Sequence, residues 1–231
     1  MITLYSGTPG SGKSLHVAEK IWYALRYGRD VIANFDVNVD KVKKRKGKFL
    51  LIENWELSPD ILQAYALQNG KKDRQGKILE GQFLLVIDEC QILFNSRERS
   101  KDRLVWCTFF SQHRKYGYDV ILIAQFDRMI DRQIRCLIEY NIVHRNVRNY
   151  GWKGFILSMF FGGKLFVAVK IWYGLNEKTS SEFFLFRKRY ARLYDSYKIF
   201  ADKGGKGALG SSRRGTKGGP AADDLSALEG T

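Results

Sequence analysis

An α/β fold with a mostly parallel central sheet flanked by helices is what this sequence predicts. Two observations carry it. Apolar runs of strand length alternate with helical patterns, and several of those runs are continuously apolar, as strands buried on both faces require. A third observation concerns the far end. From about Ile138 strand-like segments follow one another, which predicts an antiparallel addition near the C-terminus.

Taken in order, Ile2 to Ser6 reads as the first strand and residues 13–27 as a helix, which Gly28 ends from the C′ position. Val31 to Phe35 is a second strand, and the basic, turn-rich "DKVKKRKGK" follows it. In "SPDILQAYALQ" Ser58 is the capping residue, Pro59 takes the first helical position and an apolar stripe lies behind them. The polar "NGKKDRQGK" is expected to be a mobile connection. Phe83 to Ile87 is an apolar strand ending in Asp88-Glu89. Residues 101–116 read as a helix closed by Gly117, and Val120 to Ala124 as a buried strand ending in Gln125. "IEYNIVHRNVRNY", "KLFVAVKIWYG" and "EFFLFRKRY" are expected to form three strands of the antiparallel addition, before the short aromatic "YARLYDSYKIF". The organisation expected is a domain over residues 1–200, in which 138–190 is a β-rich extension, and a disordered tail over 201–231. That tail holds eight glycines in 31 residues and too little apolar surface to order itself.

The formal net charge is +15, of which the tail carries only +1. A domain this basic favours a phosphate backbone or an anionic lipid surface as partner. The alternative is a basic surface kept for solubility. Cys90, Cys107 and Cys136 form no CxxC pair and are odd in number, so buried thiols in a reducing compartment are expected. Three histidines make a structural zinc site improbable. Met1 to Tyr5 runs straight into a glycine-rich loop, so no leader segment is expected. No apolar run approaches the ~20 residues of a membrane span. "FILSMFF", residues 155–161, has two readings: a hairpin segment packed on the core, or an exposed patch that meets lipid or a membrane protein.

The chemistry begins with Gly7-Thr8-Pro9-Gly10-Ser11-Gly12-Lys13-Ser14, which satisfies G-x-x-x-x-G-K-[ST]. It follows a strand and opens a helix, the context that a Walker A loop requires. Its backbone amides, continuing to Leu15 in the first helical turn, cradle the phosphates of ATP. Lys13 reaches the β- and γ-phosphates and Ser14 offers a hydroxyl to Mg²⁺. The fold expected is therefore a P-loop NTPase. "FLLVIDEC" supplies the Walker B strand, with Asp88 serving Mg²⁺ and Glu89 placed to activate water. Gln125 ends a neighbouring strand, where an amide can sense the γ-phosphate. Arg114, and the group Arg128, Arg132 and Arg135, are candidates for a finger supplied to a neighbouring subunit. The last three have the spacing of one helix face, which a solvated or DNA-facing basic stripe explains equally well.

The combination of "GTPGSGKS", "LLVIDEC", "HRKYGYDVILIAQ" and "ARLYDSY" resembles the Zot domain family, the zonula occludens toxin N-terminal domain. That family includes filamentous-phage gene I-type assembly ATPases and is related to the FtsK/HerA motors. The resemblance implies an ATP-hydrolysing, ring-forming motor, six-membered among the options, that extrudes single-stranded phage DNA. It would act at the inner, cytoplasmic face of the cell membrane. It also implies that Gly7 to Ser14 bind ATP, Asp88 serves Mg²⁺, Glu89 activates water and Gln125 senses phosphate. Many members continue into a transmembrane helix, whereas residues 201–231 are glycine-rich and polar, so docking to a separate membrane-anchored protein is the expectation. Two other readings stand beside the motor: a P-loop kinase, and a nucleotide-dependent switch or adaptor that binds DNA or membrane.

Overall fold

In a computed structural model that describes residues 1–97 and 102–193, fourteen elements follow one another. They are β1 (Ile2–Ser6), α1 (Lys13–Arg26), β2 (Asp30–Ala33), β3 (Phe49–Leu51), α2 (Pro59–Asn69), β4 (Phe83–Ile87), α3 (Arg103–Gln112) and β5 (Tyr118–Ile123). Then come α4 (Arg132–Arg135), β6 (Tyr140–Asn146), α5 (Gly151–Phe160), β7 (Leu165–Trp172), β8 (Glu177–Leu185) and α6 (Lys188–Ala191). The residues expected to start a helix at 101, the "YDSY" of the aromatic segment and the tail 201–231 lie outside the described residues.

The strands form one sheet in the order β3-β2-β4-β5-β1-β6-β7-β8. Every residue of β1 and β4 is buried, because helices cover the sheet centre on both faces. Ile2 and Leu4 point to a core shared with Leu62 of α2, Phe109 and Phe110 of α3 and Ile134 of α4. Tyr5 points the other way, its ring 5.2 Å from His16 of α1. Local chemistry sets the helix ends. Ser58 accepts from the Ile61 amide ahead of Pro59, and Gly28 takes a positive φ of 88° just beyond α1.

The first six strands in sequence run parallel. β1 pairs β5 with Tyr5 opposite Ile123, and β4 pairs β5 with Ile87 opposite Leu122. The carboxyl ends of β4, β5 and β1 therefore meet along one edge, where open α/β sheets place their ligands.

Several expectations need correction. β6, β7 and β8 are antiparallel to one another as expected, but β6 joins the rest of the sheet parallel to β1. The segment between β5 and β6 holds α4 and is long enough to cross over β1, which a parallel return requires. The second strand ends at Ala33, and β3, a three-residue edge strand, escapes sequence reading. "NGKKDRQGK" contains a turn in which Asp73 Oδ1 accepts from the amides of Gln75 and Lys77. Residues 151–160 are a helix, so the hairpin reading of "FILSMFF" fails. Of the three thiols, only that of Cys90 is buried; Cys107 is half-buried and Cys136 exposed.

Candidate active site

The loop after β1 is held by its backbone before any side chain acts. The Gly7 amide donates to the Gln125 carbonyl at 3.2 Å, which ties the loop to the end of β5. Gly7 has φ 139°, and a Cβ there would stand 2.5 Å from the His144 carbonyl oxygen of β6. Gly12 caps α1 at φ 94°, ψ 8°, and a Cβ there would meet the Phe166 ring of β7 at 2.8 Å. Both glycines are required twice over, by left-handed backbone and by close neighbours. The loop is thus backed by β6 and β7.

Lys13 Nζ donates to the carbonyls of Gly7 at 2.6 Å and Thr8 at 3.2 Å, folding its ammonium across the loop. Burial pulls its pKa below the ordinary lysine value, and the charges of Glu89 and Asp88 oppose that pull. Ser11 Oγ is buried with no hydrogen-bond partner among the described residues, and it lies 2.9 Å from where a Gly7 Cβ would stand. A buried hydroxyl without a partner inside a glycine cradle at a helix N-terminus suits a phosphate oxygen. The donor set present, the Asp88 carboxylate and the Ser14 hydroxyl, is the all-oxygen type that Mg²⁺ takes.

Asp88 and Glu89 follow β4 directly. Asp88 is buried, and its Oδ1 accepts from the Glu89 amide at 2.9 Å. Glu89 has φ 44°, ψ 47°, a left-handed conformation uncommon for a residue with a Cβ and one that turns the chain sharply into a 3-10 turn over Cys90–Ile92. The Gln91 amide donates to the Glu89 carboxylate and sets its direction. Burial, and then the charges of Asp88 and Glu89, push the Cys90 thiol up, so it is inert packing.

A residue missed by sequence reading holds this hairpin. Asn34, 1% exposed at the end of β2, accepts from the Asp88 amide at 2.7 Å and donates to the Asp88 carbonyl at 2.9 Å. Its Nδ2 also reaches Asn54 Oδ1 at 2.8 Å. The available signal was a polar residue directly closing the apolar "VIA", beside the strand that carries Asp88.

Gln125 lines a cavity of about 440 Å³ with Ser6, Gly7, Thr8, Asn141 and Tyr150, so it adjoins the loop as expected. The arginines separate. Arg128 is exposed in a 3-10 turn three residues beyond Gln125, on the loop's side of the sheet. Ile130 and Asp131 break that turn from α4, so Arg128, Arg132 and Arg135 share no helix face. Arg114 pairs with Glu139 at 2.9 Å beside the Met1 amine, at the amino ends of β1 and β6. It stands at the edge opposite its own phosphate loop.

Behind the loop, His16 Nδ1 and His144 Nε2 are 2.9 Å apart, and His144 Nδ1 donates to the Ser6 carbonyl at 3.2 Å. His144 Nε2 therefore accepts from His16. Burial pushes His144 down to about 4 and His16 to about 2 from the ordinary 6.5. Both stay neutral in the fold while the unfolded chain takes up protons below about pH 6.5. Stability is then full above that pH and falls as pH drops from 6.5 towards 4. His144 alone contributes a loss of up to about 1.4 kcal/mol per pH unit. Urea midpoints measured between pH 7.5 and 4.5 are expected to trace this descending limb; a flat profile would contradict it.

A glycine cradle and its lysine after β1, and an Asp-Glu pair after β4, two parallel strands separated by β5, define the chain as a P-loop ATPase. The family model for zonular occludens toxin (Zot) matches residues 1–184, and the chain belongs to that family. Among curated relatives, it is 30% identical over 142 residues to the Gene 1 protein of Enterobacteria phage f1, covering 60% of this chain and 40% of that protein. It is 28% identical over 174 residues to the Gene 1 protein of Enterobacteria phage I2-2, covering 71% and 46%. The chain thus spans less than half the length of these relatives. Among solved structures, the N-terminal domain of zonular occludens toxin from Neisseria meningitidis superposes with a TM-score of 0.50 at 16% identity. That match covers 84% of this chain and 98% of the other, and it supports the fold.

Proposed function

We propose that the chain is the ATP-hydrolysing motor of filamentous-phage assembly, exporting single-stranded DNA at the inner face of the host membrane. The observation that carries the reading is the gathering of Lys13, Asp88 and Glu89 at one sheet edge in a chain of the Zot family. A P-loop kinase of small metabolites does not need a second carboxylate directly after the Mg²⁺-binding one, whereas hydrolysis needs a base for water.

In this reading residues 1–200 are the motor domain. Gly7, Thr8, Pro9, Gly10, Ser11 and Gly12 wrap the ATP phosphates with backbone amides, and Leu15 adds the first helical amide. Lys13 exchanges its loop carbonyls for β- and γ-phosphate oxygens. Ser14 and Asp88 hold Mg²⁺, which neutralises charge on the phosphates. Glu89 orients and deprotonates the attacking water, and Gln125 reads the γ-phosphate from the end of β5. Arg128, exposed on the loop's side, is the better candidate for a finger into a neighbouring subunit of a ring. Arg114, held by Glu139 at the far edge, would have to leave that ion pair first.

Partners follow from charge. About +14 outside the tail suits a DNA backbone, and a membrane or a membrane-anchored assembly protein completes the export site. Among the described residues no helix is long and apolar enough to cross a membrane. ATPase rates with and without single-stranded DNA, across a salt series, test this reading. Stimulation that fades as salt rises is expected; a rate indifferent to DNA at every salt would remove DNA as the cargo.

A further inference from the structure

Helix α5 is out of keeping with the rest of the surface. It touches the body through Gly154 and Ser158, one turn apart and its only buried residues. Gly154 fits because a Cβ there would stand 2.4 Å from the Val147 carbonyl oxygen. Every large apolar side chain of the helix points outward. Phe160 is 83% exposed, Trp152 70% and Met159 64%, and Phe155, Ile156 and Leu157 lie between 44% and 46%. Water-facing helices normally show charge on this side; here Lys153 is the one charged residue. Contiguous exposed apolar side chains of this kind, rimmed by polar residues, mark contact sites on protein surfaces.

The surroundings identify the contact. Residues 145–164 contain Arg145, Arg148, Lys153 and Lys164 and no carboxylate. These cations lie at the rings themselves. Arg148 is 5.5 Å from the Phe155 centroid, Lys153 5.7 Å from Trp152 and Lys164 5.7 Å from Phe186, an exposed aromatic just beyond β8. Long cationic chains lying along aromatic rings can place charge at headgroup level while the rings enter the acyl boundary. Glycines with positive φ mark both ends of the helix: Gly151 opens it, and Gly162 and Gly163 follow it.

We infer that α5 is an interfacial anchor that lies in the headgroup layer of an anionic lipid bilayer. Ten residues rise about 15 Å, half of the ~30 Å hydrocarbon core, so the helix lies in the surface and does not span. The cations rule against a symmetric contact with a second copy, which would set four positive charges against four. Single-stranded DNA fits less well. Ile156, Leu157 and Met159, half or more of the exposed side chains from Phe155 to Phe160, offer bases no ring to stack on. The inference deepens the membrane part of the proposed function. Its assay needs no ATP, so either can fail without the other.

Co-sedimentation with vesicles of phosphatidylglycerol and phosphatidylethanolamine, against phosphatidylcholine alone, tests it. Binding to the anionic vesicles that weakens with salt is expected. The double variant Phe155→Glu/Phe160→Glu should bind at least tenfold more weakly while retaining its affinity for an ATP analogue. Should that variant fail to fold, the parent still decides the matter. Brominated lipid should quench its tryptophan emission, and Trp152→Phe should remove most of that quenching. The inference is overturned if the parent ignores anionic vesicles, if the double variant binds as the parent does, or if lipid leaves Trp152 unquenched. It is equally overturned if the double variant changes the oligomer mass and leaves vesicle binding intact. The same holds if a single-stranded oligonucleotide, not lipid, protects Trp152.

Discussion

Glu89→Gln is expected to lower ATP turnover by about 10²–10⁴-fold, the range over which a positioned general base acts. Nucleotide binding should persist within about threefold, since the loop amides, Lys13, Ser14 and Asp88 are unchanged. The substitution keeps the shape of a side chain whose backbone is already turned to φ 44°. It replaces a carboxylate acceptor for the Gln91 amide by another amide, so the local hydrogen bond survives through the carbonyl oxygen. What is lost is the ability to take a proton. Single-turnover hydrolysis measured beside equilibrium binding of a fluorescent ATP analogue separates the two effects. Unchanged turnover would remove Glu89 from the role of base.

Asn34→Leu is expected to destabilise the fold by about 2–4 kcal/mol and to reduce turnover although residue 34 contacts no phosphate. Leucine nearly matches asparagine in volume but pairs with nothing. The buried Asp88 amide and carbonyl would each lose the hydrogen bond that Asn34 supplies. Each such group costs about 1–3 kcal/mol. The Asp88-Glu89 turn would also lose the clamp that fixes it to β2. Urea unfolding and steady-state ATPase rates test this together. A variant as stable and active as the parent would show that the clamp is dispensable. Asn34→Asp supplies the contrast, since it keeps the acceptor for the Asp88 amide and loses only the donor.

How much of this was legible in the sequence depends on the range of the interactions that decide it. The phosphate loop is a local structure, written in eight consecutive residues, and it folds where the spacing places it. β1, β4 and β5 were equally plain, because burial on both faces leaves continuous apolar runs. The antiparallel run of β6 to β8 was legible, but the parallel pairing of β6 with β1 was not. It depends on where the preceding chain crosses, and α4, four residues long, shows no helical period. "FILSMFF" hid its helix for a related reason: with apolar residues on every side it has no period to read. Asn34 joins Asp88 across 54 residues of sequence, and no local pattern announces a contact of that kind. Arg114 carried a suggestive context, "HRKYGYD", yet its place at the amino edge is fixed by Glu139, 25 residues further on.

The back wall of the phosphate loop has one more implication. Phe166, whose ring sits against Gly12, is the second residue of β7, and β7 begins just after the glycines that close α5. Ring and aromatic helix thus share one end of β7, the end that backs the phosphate loop. A shift of Gly12 toward β7 must displace that ring, since the space between them is too small even for a Cβ. A chemical event at the phosphates and a mechanical event at the bilayer would then be two readings of one strand's position.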